Sequence, residues 1–435
     1  MRRMFFIGLF FSVHVQAMDL AQAYEAALAH DARFTGLRHA LAAQRELLPQ
    51  ARAGLLPVVT AHASNARNDG DSDVSGTARP YDWHSRGYTV TLAQPLFRVA
   101  NWQQYEQSKL LVAQAEAAFS LGQQDLILRL CTAYFGVLEA EVTLASATLQ
   151  KEAIGVQLES AKHNFEIGAA TIADTYEAQS RLDLAASVES AESGNLQIRR
   201  GALEEVTGAH VASLAALAQG VRLAPPQPAS LAAWIDSAQS ANQAVLQQRL
   251  QVDIARRDIS KAGAGHFPTV DLVVSRNHGN QSADSPFLGR NVSKTNAVGI
   301  ALNIPLFSGG AITSQVRQAL ALSGKADADL DAVQRAATQS VTTAYWGMIA
   351  GLARIKALEA AELSSDSALS SNRFGYEVGA RINIDVLNAQ QQFYTTKTQL
   401  AKIRYETILN GLKLKAAAGM LGENDIRQIN VLLEH

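Results

Sequence analysis

The chain has 435 residues, 48% of them hydrophobic, and carries 38 Lys+Arg against 40 Asp+Glu for a net charge of −2. That length allows two or three domains with a buried core, while the balanced charge argues against nucleic acid as a partner. The one cysteine, Cys131, rules out a disulfide framework, and its place far inside the chain argues against a lipid-anchored amino terminus.

At the start, Arg2 and Arg3 precede an apolar stretch from Met4 to Val13, and Val15-Gln16-Ala17 offers small residues for cleavage. Residues 1–17 are predicted to be a secretory signal peptide, leaving a mature chain that begins near Met18 with a net charge of about −4. No later segment approaches 18 uncharged apolar residues, which argues against a membrane-spanning helix.

Next come two sections of strand-like character, each followed by long helical territory. "LPVVTAHASNARN" and "YTVTLAQPLF" make a hairpin at about 55–97, and "FPTVDLVVSRNHG" and "AVGIALNIPLF" make another at about 266–307. Tyr88, Val90 and Leu92 alternate with Thr89, Thr91 and Ala93, and Val298, Ile300, Leu302 and Ile304 with Gly299, Ala301 and Asn303, giving each strand one apolar face. The connections, around Asp69 to Pro80 and Gly279 to Asn291, are polar and read as loops. No proline occurs between Pro95 and Pro225 or after Pro305, so helices can run there without interruption. Leu126, Leu130, Ala133, Val137, Ala140 and Leu144 recur by fours and threes, as do Ala326, Leu330, Val333, Ala337, Val341, Ala344 and Met348; both are coiled-coil seams.

A shift of 211 residues superposes Pro57 on Pro268, Tyr134 on Tyr345, Gly168 on Gly379, Asp174 on Asp385, Gln179 on Gln390 and Gly208 on Gly419. This is a tandem duplication. It divides the chain into a first repeat at 18–208, a linker at 209–228, a second repeat at 229–420 and a terminal segment at 421–435.

The strands alone fit either a soluble hairpin pair packed on a bundle or part of an outer-membrane barrel, which four strands are too few to close. A helix from about Asn101 to Asn164 would extend on the order of 90 Å, the span of a compartment rather than of a globular domain. Together with export, this points to copies that jointly close a barrel and continue it as a helical tube.

Catalytic signatures are missing. The ten histidines are dispersed, with no H-E-x-x-H and no His, Cys or carboxylate cluster at metal spacing. "GAGHFP", Gly263 to Pro268, precedes a strand instead of following one, so it is not a dinucleotide loop, and neither G-x-S-x-G nor a P-loop occurs. No enzyme activity, cofactor or metal is expected.

The duplicated order, the paired "PLF" strand exits and above all the turns "NFEIGAATIAD" and "GYEVGARINIDVLNAQ" resemble the outer-membrane factors typified by TolC, over essentially the whole mature chain. The resemblance implies a mixed α and β membrane protein: a homotrimer with a twelve-stranded barrel in outer-membrane lipid, four strands from each protomer, above a periplasmic coiled-coil tunnel. The 209–228 and 421–435 segments would then be equatorial. It also implies export work beside a periplasmic membrane-fusion adaptor and an inner-membrane ABC transporter or proton-driven pump. Type I protein secretion is the first expectation, multidrug efflux the alternative, and a trimeric coiled-coil surface protein the more distant one.

By the same resemblance, the two turns stand at the periplasmic tip, reversed at Gly168 and Gly379. Asp174, Tyr376 and Arg381 match the positions that latch the mouth, and Asp385 and Asn388 match two rings at the aperture. Asn388 is an amide where the family pattern has an acid, so cation selectivity should be weaker. Ala173 stands where some relatives carry a hydroxyl, which removes one latch bond.

Overall fold

The structure is a computed structural model that describes residues 17–74, 77–210, 213–218, 220–283 and 291–434. The expected signal peptide, except Ala17, lies outside the described residues. Helices α1 (Leu20–His30), α2 (Ala32–Arg45) and α3 (Leu47–Ala53) lead into strands β1 (Val58–Val74) and β2 (Thr77–Phe97). Helices α4 (Val99–Glu166) and α5 (Ile172–Thr207) complete the first repeat. In the second, α6 (Leu231–Ala241) and α7 (Gln243–Gly263) precede β3 (Thr269–Ala283) and β4 (Asn291–Asn303), followed by α8 (Ala311–Glu377), α9 (Asn383–Ala417) and the terminal α10 (Glu423–Asn430).

The 211-residue shift governs the backbone as well as the sequence. α1 maps onto α6, α5 onto α9 and α4 onto α8, the last two being 68 and 67 residues long. Equivalent glycines adopt equal left-handed conformations: Gly168 and Gly379 have φ of 74° and 75°, and Gly208 and Gly419 have φ of 67° and 73°. Equivalent tyrosines do equal work. The Tyr134 hydroxyl donates to the carbonyls of Met18 and Ala215 at 3.1 and 2.9 Å, and that of Tyr345 to the carbonyl of Ala229 at 2.5 Å. Each thereby ties its helix to the segment that enters a repeat. Asp31 and Asn242 are likewise equivalent, and both side chains cap the helix that follows, α2 through the amide of Phe34 and α7 through those of Ala244 and Val245.

The chain forms two compact units, one of Met1–Arg38, Phe119–Val245 and Gln334–His435, the other of His39–Ala118 and Leu246–Val333. The first holds the main core, where Leu126, Ile127, Leu130, Cys131, Tyr134 and Phe135 of α4 meet Leu20, Ala23, Tyr24 and Ala27 of α1 and Ile426 of α10. The seam that the spacing marked is therefore buried, with Ala133 and Leu144 at its border. Burial pushes the Cys131 thiol up to about 12, so it behaves as a small apolar group.

The second unit contains one antiparallel sheet in the order β1-β2-β3-β4. Its inner pairing, β2 with β3, joins the repeats, and β1 and β4 are each paired on one side only. The register slips between Pro95 and Phe97, where proline has no N–H to give the ladder. The strands, 17, 21, 15 and 13 residues long, exceed the sequence expectation. Of what read as polar loops around Asp69 to Pro80 and Gly279 to Asn291, residues 69–74, 77–80, 279–283 and 291 are ladder, and residues 75–76 and 284–290 lie outside the described residues. Backbone pairing does not depend on side-chain polarity, so polar strands can continue past an apolar band.

Register and alternation place Leu92, Val274 and Val298 in one row of one face, with Leu272 and Ile300 beside them. The opposite face carries small or polar groups: Thr89, Asn277 and Thr295 in one row, Thr91, Ser275 and Ala297 in the next. Val298, Ile300 and Leu302 are 74%, 70% and 60% exposed, an apolar patch of the kind that marks a protein or membrane contact.

The helices leave the sheet differently in the two repeats. Arg98, just before α4, makes a two-pronged pair with Asp271 of β3 (Nε to Oδ1 2.8 Å, Nη2 to Oδ2 2.6 Å), and Asn101 donates to the carbonyl of Gly54. At the equivalent place before α8 stand Gly309 and Gly310, with φ of 59° and 81°.

Candidate functional site

The candidate site is the pair of helix turns, α4 to α5 and α8 to α9. They share one hydrogen-bond scheme. In the first, the amides of Ala169 and Ala170 donate to the carbonyl of Asn164 at 2.7 and 3.1 Å; in the second, those of Ala380 and Arg381 donate to that of Gly375 at 2.7 and 3.0 Å. Gly168 and Gly379 are needed for their positive φ alone, since a Cβ on either would meet nothing within 4 Å.

The turns part at the start of the second helix. Thr171 caps α5 in a reciprocal box: the Asp174 amide donates to Thr171 Oγ1, while Asp174 Oδ2 accepts from the Thr171 amide at 2.9 Å and from its hydroxyl at 2.7 Å. In the second turn the cap position is Ile382, which offers no acceptor. Asp385 is released from capping and sits 3.7 Å from the Arg381 guanidinium in a half-exposed ion pair. Gly375 makes room for that arginine, because a Cβ there would lie 2.6 Å from Arg381 Cγ.

Two polar ties join the turns. Asn164 Nδ2 donates to the Tyr376 hydroxyl at 2.9 Å. Deeper in, Gln157 donates to Asn383 Oδ1 at 2.5 Å, and Asn383 Nδ2 donates to the Asp174 carbonyl at 3.3 Å. Asn383 is 3% exposed, so these bonds are shielded from competing water. Further along, Arg181 forks between Glu177 at 2.8 Å, Asn388 at 2.9 Å and Gln391 at 3.4 Å.

Within one chain, then, the expected latch groups do not meet: Asp174 is held by Thr171, Tyr376 by Asn164, and Arg381 by Asp385. Asp174 Oδ1 and most of the Arg381 fork have no partner among the described residues. Asp385 carries a counter-ion, and Asn388 lies beside a cation. Sequence reasoning missed Gln157, Asn164, Arg181, Gly375 and Asn383. A signal was present: their equivalents under the shift are Ala368, Gly375, Gln392, Asn164 and Ile172, so each lies where the copies disagree.

The family model described as outer membrane efflux protein matches residues 23–209 and 234–420. The chain is 32% identical over 424 residues to the outer membrane protein TolC of Vibrio cholerae, covering 97% of this chain and 95% of that one. It is 30% identical over 421 residues to the alkaline protease secretion protein AprF of Pseudomonas aeruginosa, covering 95% and 87%. The crystal structure of the Campylobacter jejuni CmeC outer membrane channel superposes with a TM-score of 0.79 at 15% identity, covering 98% of this chain and 95% of that one, a likeness of fold.

Proposed function

The chain belongs to the outer membrane efflux protein family, and from that premise we propose that it is the outer-membrane exit duct of a tripartite export system, serving type I protein secretion. One observation carries the reading: a sheet of four strands, open at both edges and apolar on one face. In lipid every backbone N–H and C=O must be paired, so such a sheet is stable only when further copies close it. Three copies supply twelve strands, and the paired helices continue into the periplasm to meet an adaptor and an ABC transporter. The similarity to a protein named for protease secretion supports this assignment. The family description supports the second reading, a drug-efflux duct driven by a proton pump.

Deleting the gene discriminates between them. Loss of an exported protein from the medium, restored by the plasmid-borne gene, is expected for secretion. Normal secretion with a drop in drug tolerance would replace it with efflux.

We infer further that the tip is a gate, latched between neighbouring copies by the spare Asp174 oxygen and Arg381, with Tyr376 on Asn164 holding each pair of turns together. Such exposed bonds contribute about 0.5 to 1.5 kcal/mol each, several kcal/mol over three copies. That keeps an idle duct shut yet lets an adaptor open it by binding the open form preferentially. Tyr376→Phe with Arg381→Ser should therefore raise single-channel conductance in planar bilayers. Arg381→Ser also unmasks Asp385, so cation preference should rise, most clearly at low salt, and fall when Asp385→Ala is added. Unchanged conductance and reversal potential, with normal amounts of trimer, would remove these residues from the gate.

A further inference from the structure

The apolar face of the sheet changes character away from its helix-bearing end. All the strand ends that join helices, Val58, Phe97, Thr269 and Asn303, lie at one end. From there the rows of this face are apolar up to Leu92, Val274 and Val298, apart from Gln94, whose amide donates to the carbonyls of Leu55 and Pro95. The next row holds Val90, Arg276 and Asn296, the one after Tyr88, His278 and Lys294, and the one after that Arg86, Asn280 and Val292. Three neighbouring strands thus present Arg86, Arg276 and Lys294 in successive rows, with His278 between them. Strand spacing near 4.8 Å and diagonal neighbours at about 7 to 8 Å put the group within roughly 15 Å.

These cations are not part of the sheet's own pairing. Arg86, Arg276 and Lys294 are exposed, and none makes an ion pair or side-chain hydrogen bond among the described residues. Among the described residues the nearest acids on this face, Asp69 and Asp82, stand two rows further out from Arg86, and Asp82 is engaged by Arg67 at 3.1 Å. Asp271 points to the other face and is held by Arg98. Within the protomer the charge is uncompensated among the described residues.

Depth identifies the occupant, on the premise that the protein is an outer-membrane duct. Arg86 lies about 37 Å along the strand from Phe97, or roughly 26 Å of depth at a 45° tilt, which is one apolar band. Tyr88, its ring 5.3 Å from that of His278, sits where aromatic girdles mark the interface. The helices hang on the periplasmic side, so Arg86 meets the headgroups of the outer leaflet; by the same measure Lys294 and Arg276 stand at about 22 and about 17 Å, and their long side chains reach up to that level.

We propose that Arg86, Arg276 and Lys294 form a site on the lipid-facing surface for the phosphates of an anionic glycolipid of the outer leaflet. The arginine forks donate to phosphate oxygens two at a time, the lysine adds a point charge, and the acyl chains lie along Val90, Val274, Val298 and Ile300. A neutral lipid would leave the three cations unmatched. A soluble anion would make no use of the apolar rows beside them.

The test is native mass spectrometry of the detergent-extracted trimer, titrated with lipid A carrying two phosphates or with its dephosphorylated form. The wild type should prefer the phosphorylated form. The triple variant Arg86→Gln, Arg276→Gln, Lys294→Gln should lose that preference, at about fivefold per charge removed. Arg86→Lys with Arg276→Lys, which preserves charge, should keep most of it. Equal binding of the two lipids by the wild type, or an unaltered triple variant, would overturn the site, and displacement of lipid A by millimolar inorganic phosphate would make it a free-anion site instead. The same preparations in planar bilayers separate this outcome from the duct reading. Wild-type conductance in the triple variant is expected, whereas a wild type that forms no channels would count against the duct alone, since the binding ratio by itself decides the lipid site.

Discussion

Asp31→Ala is expected to destabilise the helical unit by about 3 kcal/mol, and Asp31→Asn by roughly half as much. Asp31 does two jobs: its Oδ1 caps α2 by accepting from the Phe34 amide at 2.6 Å, and its carboxylate takes the fork of Arg129 at 2.8 and 3.2 Å. The carboxylate is 5% exposed and the guanidinium 23%, so the pair is shielded from water. Alanine removes both functions and leaves Arg129 with only the exposed Asp125. Asparagine keeps the cap, and the protein already performs that substitution on itself, because Asn242 caps α7 at the equivalent position. The Arg129 guanidinium holds the Asp31 carboxyl below its usual range. A depressed folded value means that the stabilisation is fully present above the unfolded value near 3.9 and is lost as pH falls through the folded one. Thermal unfolding followed by circular dichroism should show a constant gap between wild type and Asp31→Asn above about pH 5, closing below about pH 4. A gap that does not change with pH would mean that the charge contributes nothing.

Gly419→Ala should be the more damaging of two formally equivalent changes. Both Gly419 and Gly208 hold a left-handed backbone, which costs a residue with a Cβ about 1 to 2 kcal/mol. At Gly208 the new methyl would approach the His30 ring to 2.2 Å, but that side chain is exposed and can swing away. At Gly419 it would lie 2.1 Å from the Ala241 carbonyl oxygen and 2.8 Å from the Asn242 nitrogen. These are backbone atoms at the junction of α6 and α7, and no rotamer relieves the clash. A further loss of about 1 to 3 kcal/mol follows. The yield of heat-resistant trimer should fall modestly for Gly208→Ala and sharply for Gly419→Ala. Equal yields would show that the α6–α7 junction shifts as readily as a side chain.

Much of this was legible in the sequence because duplication writes each constraint twice. Gly168 with Gly379 and Tyr134 with Tyr345 stood out by recurring at the same shift, and the structure gives each pair the same conformation or the same bond. The strand ends were not legible: Asp69 to Pro80 is polar, and composition marks where a chain can be wet, not where its backbone stops pairing. The wiring of the turns was hidden for the opposite reason. Asn164, Asn383 and Arg181 lie where the copies differ, and a search for recurrence passes over differences. Yet a contact between two copies joins unlike positions, so its residues are free to diverge.

The unequal exits of the helices from the sheet have a mechanical consequence. A rod clamped at one end stores twist along its whole length, whereas a rod on a swivel turns with little resistance. Arg98 on Asp271 and Asn101 on Gly54 clamp the foot of α4, since a planar fork fixes orientation as well as distance. Gly309 and Gly310 give α8 a swivel, two residues with no Cβ to oppose rotation. The foot of α4 is thus fixed in orientation and the foot of α8 is left free to turn, so two helices that descend from the same 211-residue plan are anchored as opposites.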